Sequence, residues 1–158
     1  MTSSPLWVSA FRPFYLLGAL YAPLLTVAWL GAFLGLWSLP AGNVPLRLLH
    51  GHEFIFGFSA AIITGVVLTA LPSWAGIEET RGRRLILLVA LWLAGRSAFW
   101  IAPLLPSLLP AIIDCLLFPA VFIMLAPQLL RARNRLYLLL LPILLALFAA
   151  NLIYHHGV

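Results

Sequence analysis

Stretches of about 20 almost uninterrupted apolar residues, the length a helix needs to cross a hydrocarbon core of roughly 30 Å, recur along this chain and leave it few ways to fold in water. Prolines, glycines and arginines separate five of them: Phe14–Trp37, Phe54–Leu71, Leu85–Leu105, Leu108–Leu125 and Leu136–Tyr154. Residues are 64% hydrophobic and 8% charged, whereas an ordinary soluble domain is about 25% charged. The expected fold is therefore an all-α helical bundle of five transmembrane spans, a single polytopic membrane domain over residues 1–158. Asp114 and Pro119 interrupt the fourth span, where a kinked or partly re-entrant helix is expected. The run from Phe14 to Trp37 is too long for the apolar region of a signal peptide and reads as retained.

All nine basic residues are arginines. Arg12, the set Arg81, Arg83 and Arg84, and the set Arg131, Arg133 and Arg135 fall on one side of a five-span bundle, with only Arg47 opposite. The tendency of basic loops to stay inside then places the N-terminus in the cytoplasm and the C-terminus outside. Arginines that follow topology in this way are no nucleic-acid footprint, and no nucleic-acid partner is expected. The single cysteine, Cys115, has no partner for an intrachain disulfide.

That topology gathers the chemistry at the outer side. His50, His52 and Glu53 open the second span, His155 and His156 close the fifth, and Asp114 begins the fourth. Neutral imidazole ligates haem iron, copper and zinc, so a metal or haem site at the membrane edge is expected from His50, His52 and His155. On a helix, His50 and His52 would point nearly opposite ways; they can clasp one metal only if the helix begins after His52. The plain alternative is a set of interfacial histidines bonded to headgroups and water. A zinc-protease signature needs a histidine four residues after His52, and Phe56 stands there.

Arg96 lies near the centre of the third span and must be paired. Asp114 and Glu53 are the available carboxylates, and a cofactor propionate is a further one. Asn151, one helical turn before His155, is placed to fix that imidazole. Glu53, Gly57, Ala61, Gly65 and Thr69 form a stripe of mostly small residues suited to a flat cofactor or to a neighbouring helix, and Gly31 with Gly35 makes a similar pair. The six tryptophans read mainly as an aromatic belt, although Trp92, Arg96 and Trp100 share a helix face.

Several short motifs together carry a family likeness. They are Ala10-Phe11-Arg12-Pro13-Phe14, His50-Gly51-His52-Glu53 followed by Phe56-Gly57-Phe58, and the run from Thr69 through Leu71-Pro72-Ser73-Trp74 to Gly76. Leu93-Ala94-Gly95-Arg96, Asp114, Arg133-Asn134-Arg135, and Asn151 followed by His155 complete them. The chain resembles the N-terminal part of the NnrS family of membrane proteins of the nitric oxide response. The resemblance implies a multi-pass protein of the bacterial inner membrane, associated with haem and copper and linked to denitrification or to protection against nitrosative stress. It supports His50, His52 and His155 as metal ligands; the placement of the polar residues adds Arg96 and Glu53 as further cofactor contacts and Asp114 and Asn151 as structural polar groups. Family members are typically more than twice as long, so this chain reads as a fragment or a short relative completed by its own copies or by a second-half partner subunit.

Three functions compete at this level. The first is a haem- or copper-binding membrane protein with nitric oxide as a ligand, with no catalytic residues assigned. The second is a cofactor-free structural module in which Arg96, Asp114 and Glu53 only hold helices together in the lipid bilayer. A transporter or proton relay ranks last, because no inverted repeat is visible and the internal prolines do not form a matching pair.

Overall fold

The computed structural model describes residues 4–39 and 44–157. It is all-helical, with no strand among the described residues. Four helices are long and apolar enough to cross a membrane: α1 (Phe11–Phe33), α2 (Leu46–Ala75), α4 (Leu109–Arg131) and α5 (Arg135–Gly157). Between them, α3 (Gly82–Trp100) is a regular helix of 19 residues that carries Arg83, Arg84 and Arg96. Large apolar side chains remain exposed on the outside of the bundle, including Leu24, Phe33, Ile123 and Ile153. This is the surface of a membrane protein, whose solvent is hydrocarbon.

Helix ends follow local chemistry and correct several expected boundaries. The first helix stops at Phe33 and not at Trp37, because Gly35 adopts φ +73°. The backbone N–H of Leu36 then reaches the Gly31 carbonyl at 2.8 Å, a left-handed glycine cap. Gly31 and Gly35 are therefore not a packing pair: Gly35 is the stop, and the Trp37 indole folds back to donate to the Ala28 carbonyl at 3.0 Å. α3 ends at Trp100, before the prolines at 103 and 106.

The kink in α4 appears where its proline dictates. Pro119 cannot donate to the carbonyl of Cys115, and its ring clashes with that carbonyl. Accordingly the helix breaks after Asp114, turns through Cys115 and Leu116, and restarts over Leu117–Arg131. Pro142 acts the same way on Leu138, so α5 begins as a 3-10 turn over Arg135–Leu139 before becoming α-helical at Leu140.

α2 starts at Leu46, well before the expected Phe54, and is continuous in helical hand to Ala75. Residues Glu53–Ser59 within it form a wider π-helical stretch, which hydropathy did not foretell. Such insertions cluster at functional sites. Backbones approach closely where α1 lies on α2, where α3 lies on the first piece of α4, and where the second piece of α4 lies on α5. The small-residue stripe of α2 serves the first of these contacts. A Cβ on Gly65 would stand 3.0 Å from that of Phe14, and one on Gly57 would stand 2.6 Å from the Tyr21 ring. The helix-packing reading thus accounts for the stripe at Gly57 and Gly65, where α1 fills the space a flat cofactor would need.

Candidate metal centre

Six polar side chains from all five helices meet in the interior: Tyr21 of α1, His52 and Glu53 of α2, Arg96 of α3, Asp114 of α4 and Asn151 of α5. His155, one turn beyond Asn151, joins them. Glu53 and Asn151 are 0% and 1% exposed, and His52, Arg96 and Asp114 at most 5%. Groups of this kind are costly inside a membrane and persist only when they satisfy one another.

Arg96 is the hub of the ion pairs. One guanidinium nitrogen donates to Glu53 Oε1 and the other forms an ion pair with Asp114 Oδ1, so a single arginine ties α2 and α4 to α3. The sequence offered these two carboxylates as alternative partners; the structure uses both. Glycine makes room for the arrangement, since a Cβ on Gly95 would lie 3.1 Å from Asp114 Oδ1 and 3.2 Å from its Cα. The second oxygen of Glu53 accepts from the Tyr21 hydroxyl, which in turn accepts from Trp100 Nε1 at 2.7 Å. Trp92 is buried and donates its indole N–H to the Gly57 carbonyl at 2.9 Å, inside the π-helical stretch. Trp92 is therefore an interior hydrogen-bond donor and not a member of an aromatic belt, while the half-buried Trp100 turns its N–H inward to Tyr21.

His52 lies between the rings of Phe99 and Tyr154, with centroids 4.7 and 4.1 Å away. Its Nδ1 is 3.0 Å from Glu53 Oε1; its Nε2 is 2.9 Å from Asn151 Oδ1 and 3.1 Å from Asp114 Oδ2. His155 Nε2 reaches the same Asp114 oxygen at 2.9 Å. Asn151 Nδ2 donates to that oxygen at 3.0 Å, so the amide orients Asp114 and His52, whereas the sequence had paired it with His155. The ligand atoms of His52, Asp114 and His155 lie within 4.8 Å of one another.

The chemistry of this arrangement is uneven. Both nitrogens of His52 face oxygen acceptors, but a neutral imidazole carries only one N–H. Turning the Asn151 amide over does not remove the conflict, because Asp114 Oδ2 still faces Nε2. With both carboxylates ionised, Glu53 and Asp114 bring two negative charges and Arg96 one positive, so the enclosed set is one positive charge short. A bound cation supplies it, and so does one further proton, on His52 or on Glu53, whose O–H then donates to His52 Nδ1. Ligand atoms about 2.0–2.1 Å from a tetrahedral ion stand about 3.3 Å apart, close to the 2.9 and 3.1 Å separations from Asp114 Oδ2 to the two imidazoles. A metal ion fits this donor set. A porphyrin does not, since the free volume beside Arg96, Asp114 and Asn151 is only about 10 Å³.

His50 is not part of the cluster. Because α2 already runs through residue 50, the two imidazoles leave the helix in nearly opposite directions and cannot clasp one ion. The His50 ring lies against Trp29 of α1, with centroids 4.6 Å apart. His156 is exposed, as its phase relative to His155 predicts. Asp114, expected only as a structural group, shares one oxygen with both imidazoles; Tyr21 and Tyr154 had no signal beyond being tyrosines within apolar runs.

Comparison with known proteins agrees with the motifs. No protein of curated function and no solved structure is similar enough to match. The family described as NnrS protein matches residues 5–158, which takes in every helix of the bundle. The chain belongs to the NnrS family.

Proposed function

We propose that this chain is a five-span inner-membrane protein of the nitric oxide response that holds a metal ion, copper in the first instance, between His52, Asp114 and His155. The observation that carries the reading is the convergence of His52, Asp114 and His155 ligand atoms, with both nitrogens of His52 facing oxygens, in a cluster one positive charge short when both carboxylates are ionised. Imidazole nitrogens suit copper, zinc and iron, membership of the NnrS family suggests a role in the nitric oxide response, and copper is what the family likeness implies. The haem that the family likeness also implies is not assigned to this cluster.

Five spans follow if α3 crosses as well. Its 19 residues reach about 28 Å, and two carboxylates neutralise the buried Arg96 that makes it look unsuited to lipid. The arginines at the start of α1 and in the α2–α3 and α4–α5 connections then share the cytoplasmic side.

In the metal-bound protein, Glu53 accepts from His52 Nδ1–H and so directs the Nε2 lone pair toward Asp114 and His155. Arg96 and Asn151 orient Asp114, and Tyr21 holds the far oxygen of Glu53. Phe99 and Tyr154 keep water off the His52 ring. A bound copper or iron ion would supply the open coordination position that a gas ligand needs.

The competing reading, a structural module, is favoured by the same contacts, since every separation is also a hydrogen-bond length and His52 can carry two protons. Elemental analysis of the purified chain separates the two. Near-stoichiometric metal that falls to background in His52→Ala, His155→Ala and Asp114→Asn supports the site. Background metal in the unmodified protein after reconstitution with copper, zinc and iron would leave the structural module.

A further inference from the structure

At the end of the bundle opposite His52, two connections are locked together. The backbone N–H of Glu78, between α2 and α3, donates to Gln128 Oε1 of α4 at 3.0 Å. Leu85 of α3 is buried in the same core as Leu129 and Ala132 at the end of α4. The resulting seam carries Arg81, Arg83 and Arg84 on one side and Arg131, Arg133 and Arg135 on the other, all exposed. Glu78 and Glu79 are the acids beside them, so the patch is strongly positive.

These guanidinium groups are not all engaged. Arg81 pairs with Glu79, Arg84 with Glu78 at 3.3 Å, and Arg135 donates to the Leu130 carbonyl at 2.9 Å. Arg83, Arg131 and Arg133 have no polar partner among the described residues. Arg83 also lines an open hollow of about 560 Å³ with the two glutamates. Apolar surface begins within a turn of the same arginines: Ile86 and Leu87 follow Arg84, Leu130 precedes Arg131, and Leu136 follows Arg135, each exposed. In this protein such surface meets hydrocarbon. Topology asks only that arginines stay on one side; a ligand that uses both surfaces must be anionic at one end and apolar along the rest.

We propose that this seam binds an anionic phospholipid, its phosphodiester held by Arg83, Arg131 and Arg133 and its acyl chains lying on the exposed leucines. Guanidinium groups match phosphate oxygens with paired hydrogen bonds, and a basic recess between helices at head-group level selects such a lipid. Only binding is assigned. The seam shares no residue with His52, Asp114 and His155, so it stands whether or not that cluster holds metal.

Native mass spectrometry of the full detergent-purified chain, titrated with phosphatidylglycerol and separately with phosphatidylcholine of the same acyl chains, tests the assignment. Phosphatidylglycerol adducts should form at about tenfold lower concentration, and the preference should shrink as ionic strength rises. Arg83→Gln, Arg131→Gln and Arg133→Gln should each weaken phosphatidylglycerol binding about fivefold, the contribution of one arginine at a membrane surface, while Arg47→Gln at the other end leaves it unchanged. Glu78→Gln releases Arg84 and should strengthen binding about fivefold, a gain that misfolding cannot produce. Equal binding of the two lipids, or a preference retained when all three arginines are changed together, overturns the proposal. Displacement by an equal concentration of glycerol phosphate or of an oligoglutamate peptide overturns it too, and makes the seam a dock for a soluble anion or an acidic protein.

Discussion

His50 and His52 are separated by one glycine on one helix, yet they occupy opposite kinds of environment. The His52 ring is enclosed by two aromatic rings, and both its nitrogens contact side chains from other parts of the sequence. His50 has a buried nitrogen with no partner among the described residues and lies on an apolar cleft. Helical phase makes the difference: a step of two residues turns the side chain by about 200°, from the centre of the bundle to its flank. The inner region is a closed electrostatic network whose members depend on one another. The flank region is a shape with spare hydrogen-bonding capacity.

The contrast breaks most visibly at Arg96. Arg96→Ala leaves Glu53 and Asp114 buried without their shared cation, and truncating one partner of such a pair costs about 3–5 kcal/mol. Loss of the folded, monodisperse chain in detergent is expected, followed by thermal unfolding or size-exclusion profiles. Arg96→Lys keeps the charge but gives up the planar fork that bridges the two carboxylates, and should recover only part of that loss.

A direct comparison of the two histidines comes next. His52→Ala removes contacts to Glu53, Asp114 and Asn151 and empties the space between Phe99 and Tyr154. Destabilisation of about 2–4 kcal/mol is expected from the cavity and the abandoned acceptors. His50→Ala, which breaks no hydrogen bond among the described residues, should stay within about 1 kcal/mol. Equal losses in denaturant titrations of the two variants would refute the division of the molecule drawn above.

Tyr21→Phe sharpens the boundary of the network. It strips one hydrogen bond from the buried Glu53 carboxylate and the acceptor from Trp100 Nε1, and about 1.5–3 kcal/mol should be lost. The smallest effect belongs to the residue between the histidines. Gly51 sits in regular helix with open space where a Cβ would go, so Gly51→Ala should be neutral or stabilising by up to about 1 kcal/mol. Gly57→Ala is its counterpart, with a Cβ 2.6 Å from the Tyr21 ring. It should cost about 1–3 kcal/mol, and the pair of melting temperatures measures how tightly the inner side is packed relative to the outer.

Much of this organisation could be read in advance from particular residues. A lone arginine in an apolar run had to find carboxylates, and Glu53 and Asp114 were the nearest to hand; Pro119 announced the break in α4. Trp92 was misjudged because interfacial and interior tryptophans look alike in one dimension, and only burial shows that it feeds a backbone carbonyl. The π-helical stretch was equally hidden, since nothing in Glu53–Ser59 breaks the helical pattern.

By itself the amino-acid order determined that the chain is a helical membrane bundle and which side chains are too polar to face lipid. Those properties depend on local chemistry: apolar length and the cost of an unpaired charge. Tertiary structure alone decided which polar groups meet. His52 and Asn151 are 99 positions apart, and Asp114 comes within reach of both imidazoles only after α4 has broken and packed against α3 beside Gly95. The start of α2 upstream of both histidines settled their phase, sending His52 to the network and His50 to the cleft. Register between helices is set by how side chains interlock across the bundle, and no single stretch of sequence holds that information.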